Sequence, residues 1–207
     1  MYKTSVEELI AKEILIKTKG EDESFHGCGR EDIDVRMLGN GRPFVLEIKN
    51  PKLRSLDFSE VESAINTQNT GLIAVSDLRF SDKDEIIRIK KAAFRKKYRV
   101  VFNIGIPINN EKLKKAVESL RGSRISQFTP SRVAHRRANM VREKQIYDCN
   151  LDSIDGTIAT LTLEAESGTY IKELVTGDNA KTKPNISDIL GVPCKVIELD
   201  VIDIKGE

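Results

Sequence analysis

Tryptophan is absent from this 207-residue sequence, and four tyrosines with seven phenylalanines bring the aromatic share to only 5%. A flat aromatic platform for stacking the bases of a single strand is therefore not expected. An RNA ligand would be held mainly through phosphates and shape. Cysteine is nearly as scarce: Cys28, Cys149 and Cys194 are odd in number, scattered, and form no CxxC pair. That argues against a disulfide framework or a Cys-rich zinc site and makes a reducing cytoplasm the expected location. Two histidines leave little material for a His-based metal centre or a Ser-His nucleophile. No apolar run approaches the roughly 18 residues that span a bilayer, and no basic-then-apolar leader opens the sequence, so neither a membrane nor a secreted protein is expected.

What is present is charge. Hydrophobic residues make up 39% and charged residues 32%, with 34 basic against 32 acidic side chains and a net charge of +2. The length suits one domain, or two closely packed lobes dividing at about residues 105 and 106. The small net charge hides segregation. Lys83 to Arg99 carries eight basic and two acidic residues, and Arg121 to Lys144 carries seven basic and one acidic, so the remainder is strongly acidic. Two concentrated basic stretches read as a positive face for a polyanion. A solvated helix face explains the first stretch equally well; the second is Arg-rich and does not look helical.

Local patterns give a coarse map. Ser5-Val6-Glu7-Glu8 is a capping box opening a helix that Gly20 ends, with Val6, Leu9, Ile10 and Ile14 at helical spacing. Ile33, Val35 and Met37 alternate with Asp34 and Arg36, then Gly39-Asn40-Gly41 offers a tight turn and Phe44, Leu46 and Ile48 alternate again. Residues 33–48 thus predict a hairpin. A helix over 57–68, a strand over 72–75 and a basic helix capped by Ser81 and Asp84 and running to Lys97 follow. Tyr98, Val100, Phe102 and Ile104 share one strand face, and 109–120 is an amphipathic helix. From Gln127 two long strands are expected, interrupted by the turn-rich 152–156, then short helices after Thr169 and over 187–190, and a closing strand over 195–204. Strands and helices without regular βαβ alternation predict an α+β fold with a mainly antiparallel sheet.

Three clusters are candidates for chemistry. In Gly29-Arg30-Glu31-Asp32-Ile33-Asp34-Val35-Arg36, a strand would project Asp32, Asp34 and Arg36 from one face. Such crowded carboxylates need compensating cations, and glycines just before them favour close approach to a ligand. In Thr129-Pro130-Ser131-Arg132-Val133-Ala134-His135-Arg136-Arg137, a strand would put Arg132 and Arg136 on one side and Arg137 on the other. Phosphate contact and a solvated edge strand are equally good readings. In Gly168-Thr169-Tyr170-Ile171-Lys172-Glu173-Leu174, a glycine turn delivers a tyrosine and a lysine to a helix start.

These stretches resemble the catalytic domain of the archaeal and eukaryotic Pus-ten family of tRNA pseudouridine synthases. The resemblance rests on residues 25–39, then Gly41-Arg42-Pro43-Phe44, Leu46-Glu47-Ile48, Asn50-Pro51, Lys97-Tyr98, Thr129-Pro130, Arg132-Val133, His135-Arg136-Arg137 and 168–173. It ends with Thr182, Pro184-Asn185 and 198–201, so it covers essentially the whole sequence. It implies one pseudouridine-synthase-like α+β domain over 1–207, a mixed, mainly antiparallel sheet with flanking helices and a central catalytic cleft. It makes Asp32 the catalytic aspartate and Tyr98 the residue that stacks on the target base and acts as general base. Tyr170 and Lys172 become its neighbours, and Ile189 or Leu190 the apolar residue closing the pocket. Lys172, helped by Arg30 or Arg36, would hold Asp32 ionised. Arg30, Arg36, Arg42, Arg132, Arg136 and Arg137 would contact substrate. No cofactor or metal is implied. The substrate is tRNA, with T-loop uridines 54 and 55 the expected targets. Asp178-Asn179-Ala180-Lys181-Thr182 departs from the family's usual Asp-Phe-Gly-Arg-Thr. The family's N-terminal extension, with its zinc-binding cysteines and THUMP domain, is not seen in this sequence, so a separate THUMP-type tRNA-binding protein is an expected partner.

Two other functions compete. Asp34 with Glu47-Ile48-Lys49 mimics the D…ExK set of magnesium-dependent nucleases, and a non-catalytic tRNA-binding module would use the same basic stretches.

Overall fold

The computed structural model describes residues 3–92 and 94–205, which divide into two compact units. Residues 3–30 and 42–92 form the first; 31–41 and 94–205 form the second. The division therefore does not fall at 105 and 106, because the strand that begins at Arg95 pairs with strands much later in the chain and belongs with them.

The first unit holds α1 (Val6–Thr18), β1 (Asp22–Gly27), a strand at Phe44–Lys49, and two further helices, Phe58–Gln68 and Lys83–Lys91. The capping box forms as read: Ser5 accepts from the Glu8 amide and Glu8 from the Ser5 amide. The left-handed residue that ends α1 is Lys19, not Gly20. Gly20 is needed for a different reason, since a Cβ there would lie 2.4 Å from the Ile48 side chain. Phe44–Lys49 pairs antiparallel with β1, so it is not the second arm of a 33–48 hairpin. The expected strand at 72–75 is absent as well. Val75 donates its N–H to Asn66 Oδ1 and its C=O accepts from Asn66 Nδ2, in place of a ladder, and it packs with Ile10, Val61 and Ile65 in a small core. The basic helix is capped by Asp82 and stops at Lys91, well short of Lys97.

In chain order the second unit contains β2 (Arg36–Met37), β4 (Arg95–Asn103, the strand at Phe44–Lys49 being β3), α4 (Asn110–Glu118, after α2 and α3 above) and β5 (Arg124–Phe128). A 3₁₀ turn at Ser131–Val133 precedes β6 (Val141–Asp155) and β7 (Ile158–Ala165). There follow α5 (Ile171–Thr176), β8 (Thr182–Lys183), α6 (Ile186–Leu190) and β9 (Lys195–Lys205). Seven strands form one sheet in the order β2-β9-β4-β7-β6-β5-β8, antiparallel except for the β2–β9 pair. The mainly antiparallel α+β expectation holds. The period-two pattern of β4 buries Tyr98, Val100 and Phe102 against α4, α5 and α6, whose Leu113, Val117, Leu174 and Ile186 complete the core. Its opposite face carries charge. Arg95 stacks over Tyr147 and pairs with Glu164, while Arg99 reaches Asp200. The first basic stretch is thus split between a helix of one unit and a strand of the other, and much of its strand half is already paired.

Segment 31–41 is tied into this sheet at several points. Lys96 pairs with Glu31. Arg36 forks onto the buried Asp200 at 2.7 and 2.8 Å, and the Leu38 amide donates to the Val201 carbonyl at 2.8 Å. No helix among the described residues is long and apolar enough to cross a membrane.

Three glycine-related substitutions test this packing. Gly39 has φ +66° and a Cβ there would stand 2.0 Å from the Ile202 carbonyl, whereas Gly41 has φ +76° and open space around it. Gly39→Ala is expected to destabilise by several kcal/mol and Gly41→Ala by about 1 kcal/mol, read as denaturant midpoints. Ala180, at φ +63°, sits where glycine is cheaper; Ala180→Gly should raise stability by about 0.5–1 kcal/mol.

Candidate active site

The acidic motif does not continue as a strand. The Val35 amide donates to the Asp32 carbonyl at 3.1 Å, closing a turn with Ile33 and Asp34 at its tip. Asp32 and Asp34 therefore leave the backbone as turn residues, and Arg36 departs to Asp200 and Glu198. Two carboxylates lie in a short span, and the cations that answer them come from far along the sequence.

Asp32 is the hub. Its Oδ1 accepts from Nη2 of Arg136 at 3.0 Å and its Oδ2 from Nη1 of Arg132; Lys172 Nζ stands 3.8 Å from Oδ2. Lys172 itself donates to both oxygens of Asp34 at 2.7 Å. Arg132 also forks onto Glu173, Nε to Oε1 at 2.7 Å and Nη2 to Oε2 at 3.1 Å. Three carboxylates thus meet three cations. Accessibility falls from the rim inwards: side-chain exposure is 45% for Arg136, 34% for Arg132, 22% for Asp32 and 6% for Glu173.

The electrostatics follow from this wiring. Burial on its own lowers the proton affinity of Arg132, but the Glu173 and Asp32 carboxylates outweigh it and raise the guanidinium above its usual range. The hydrogen bond from Lys172 holds Asp34 below the ordinary carboxylate value against a smaller opposing burial effect.

The sequence-derived site is therefore redrawn. Asp32 and Lys172 come together as expected, although Lys172 engages Asp34 first. Arg132 and Arg136 do not alternate along a strand: 131–133 is a 3₁₀ turn and the chain keeps turning through 136, so both arginines reach Asp32. They hold the Asp32 carboxylate, a role assigned beforehand to Lys172 with Arg30 or Arg36. Arg36 pairs with Asp200 and Glu198, its side chain still largely exposed. Arg137 is exposed. Arg30 and Arg42 belong to the first unit, where Arg30 is exposed and the Arg42 guanidinium donates to the Gly29 carbonyl. Tyr98 is buried in the core of the second unit. Tyr170 caps α5 and exchanges backbone hydrogen bonds with the Gln127 amide at 2.9 Å, its half-buried ring 6.0 Å from the Arg142 guanidinium. Leu190 is packed in the core with its carbonyl accepting from Lys112, and the exposed neighbour is Ile189.

Sequence reasoning missed Glu173. The signal was there: a carboxylate flanked on a short helix by Ile171, Leu174 and Val175 is carried inwards and must find a cation. For the nuclease reading, Lys49 pairs with Asp22, Glu47 stands 3.7 Å from His26, and Asp34 pairs with Lys172. No group of three or more His, Cys, Asp or Glu side chains able to hold a metal ion occurs among the described residues.

Comparison with known proteins places this arrangement in a family. The model of the family described as Pus10, C-terminal, matches residues 1–205. A protein named tRNA pseudouridine synthase Pus10 from Methanothrix thermoacetophila is 43% identical over 206 residues, covering 100% of this chain and 45% of the relative. One of the same name from Archaeoglobus fulgidus is 46% identical over 204 residues, covering 99% and 56%. The chain thus spans about half the length of the curated relatives it matches. Among solved structures, a chain in a Cbf5-Nop10-Gar1 complex shares the fold with a TM-score of 0.59 at 17% identity, over 97% of this chain and 45% of that one. With the Asp32 turn and its cations inside a match that spans nearly every residue, the chain belongs to the Pus10 C-terminal family.

Proposed function

We propose that this chain is the catalytic part of an isomerase that converts uridine to pseudouridine in tRNA, with T-loop uridines 54 and 55 as targets. The observation that carries the reading is a carboxylate, Asp32, ringed by Arg132, Arg136 and Lys172, in a chain whose relatives bear the name tRNA pseudouridine synthase.

Isomerisation breaks the bond between the base nitrogen and the sugar, turns the base and rejoins it through carbon. Electrons and atoms balance within the nucleotide, so the chemistry itself calls for no redox partner and no phosphoryl transfer. It needs an ionised oxygen close to the sugar, acting as nucleophile or as base for a sugar proton. Asp32 has a guanidinium on each of its oxygens, a geometry that supports it in that role. Both Asp32 oxygens accept hydrogen bonds, so one must be released when substrate arrives. Arg136 is the candidate to yield, being the more exposed arginine and holding Asp32 by one hydrogen bond. A phosphate of the RNA competes for it, with Arg137, Arg30 and Arg42 as further backbone contacts. The target base leaves its stack to enter the site. Tyr170, at the start of the helix bearing Lys172, is the better supported base contact; Tyr98 would serve from within the core. A THUMP-type segment or partner chain adds affinity for tRNA, in keeping with the greater length of the relatives.

Two measurements test this. Asp32→Asn should lower pseudouridine formation about a thousandfold or more in an unmodified tRNA transcript incubated with chelator, while RNA affinity stays near that of the wild type. Equal loss of turnover and affinity would make Asp32 structural, and chelator-sensitive cleavage would point to a nuclease. Arg137→Ala should weaken RNA binding and flatten the slope of log affinity against log salt by about 0.7–0.9.

A further inference from the structure

We infer that Glu173 is a positioning residue for the reaction, acting through Arg132, and that Arg132 is not an RNA contact. This rests on the function proposed above and assigns the two Asp32-bound arginines separate tasks.

The geometry of one guanidinium carries the argument. Arg132 spends Nε and Nη2 on the two oxygens of Glu173 and turns Nη1 to Asp32 Oδ2. A two-point fork fixes the plane of the guanidinium as well as its distance, which a single hydrogen bond does not. Glu173 is the innermost member of the cluster, lodged on α5 between the buried Ile171 and Leu174. A carboxylate there has no cheap alternative partner, because losing its cation would leave a charge stranded away from water. The other end of Arg132 is also held. The Ser131 amide donates to Asp178 Oδ2 at 3.0 Å, Lys181 donates to the Ser131 hydroxyl at 2.7 Å, and Val133 is buried. Backbone and head group are both anchored, so the direction of Nη1 is set before substrate binds, and with it the orientation of Asp32.

Arg136 differs on every count. It is more exposed, forks onto nothing, and the bond to Asp32 Oδ1 is the one hydrogen bond its guanidinium makes among the described residues. A phosphate that took Arg132 would have to break the fork on a buried carboxylate; one that took Arg136 would break a single hydrogen bond near the surface. The cluster therefore contains one fixed cation that orients Asp32 and one exchangeable cation that frees an oxygen of it.

The test is steady-state turnover and RNA binding for Glu173→Gln, Arg132→Lys, their double variant and Arg136→Ala, each compared with wild type on the same tRNA transcript. Glu173→Gln preserves shape and removes the charge. Arg132→Lys preserves the charge but replaces the planar fork with a compact ammonium. Both should lower kcat by about tenfold to a hundredfold with KM and RNA affinity within about twofold of wild type. Because they break one unit, the double variant should be no worse than the poorer single one. Arg136→Ala should instead show its loss in KM and RNA affinity. Should Glu173→Gln melt at a clearly lower temperature, Arg132→Lys carries the comparison. Unchanged kcat in both single variants, losses in RNA affinity instead of kcat, or losses that multiply in the double variant would overturn the inference. Whether wild type isomerises uridine at all judges the proposed function separately. Independently of turnover, the Arg132 Nε–H proton should exchange slowly in the wild-type NMR spectrum and quickly in Glu173→Gln. Fast exchange in wild type would contradict the fork.

Discussion

A guanidinium shared between two carboxylates organises the second unit's charged cluster. Arg132 takes Glu173 with one edge and Asp32 with the other, and every other member is arranged around that bridge. Charges withdrawn from water repel or strand one another unless their signs balance locally. Here three carboxylates and three cations do balance. The grading from a buried Glu173 to an exposed Arg136 gives the cluster an inner side that resists rearrangement and an outer side that does not.

The fold supplies what the cluster cannot supply itself, which is placement of the Asp32 turn. The turn sits in a segment with little regular structure of its own, only the two-residue β2. It is held because Glu31 pairs with Lys96 on one side of it and Arg36 with Asp200 on the other, while the backbone at Leu38 docks on β9. Central strands β4 and β9 thus act as a frame to which a loop is pinned at both ends. The pin at Asp200 is itself shared, since Arg36 and Arg99 converge on the same carboxylate. In both places an acid buried in the sheet or beside it captures an arginine, and the arginine fixes something nearer the surface.

Much of this was legible in the sequence where the pattern is local. The Ser5 capping box, the alternation that buries Tyr98, Val100 and Phe102, and the helices at Asn110–Glu118 and Ile171–Thr176 all follow from spacing within a few residues. The acidic motif was visible as a cluster demanding cations. What failed was register and partnership. Alternation at Ile33, Val35 and Met37 looked like a hairpin arm because the real partner of β2 is β9, at Asp200 and Val201, and no local pattern encodes a pairing over that distance. Alternation through Arg132 and Arg136 misled in the same way, since residues three to four apart in a tight turn share a side as surely as alternate residues in a strand. The cations around Asp32 were named individually, but their convergence is a property of the folded chain.

Asp32 is the group proposed to meet the target nucleotide, with its orientation held by Arg132. A structure of the chain bound to a uridine-containing tRNA fragment tests this most directly. The expected result is an Asp32 oxygen within roughly 3.5 Å of the sugar carbon bearing the target base, Arg136 moved onto a phosphate, and the Arg132–Glu173 fork intact. A target ribose seated away from Asp32, or a phosphate held by Arg132 with Glu173 abandoned, would contradict it.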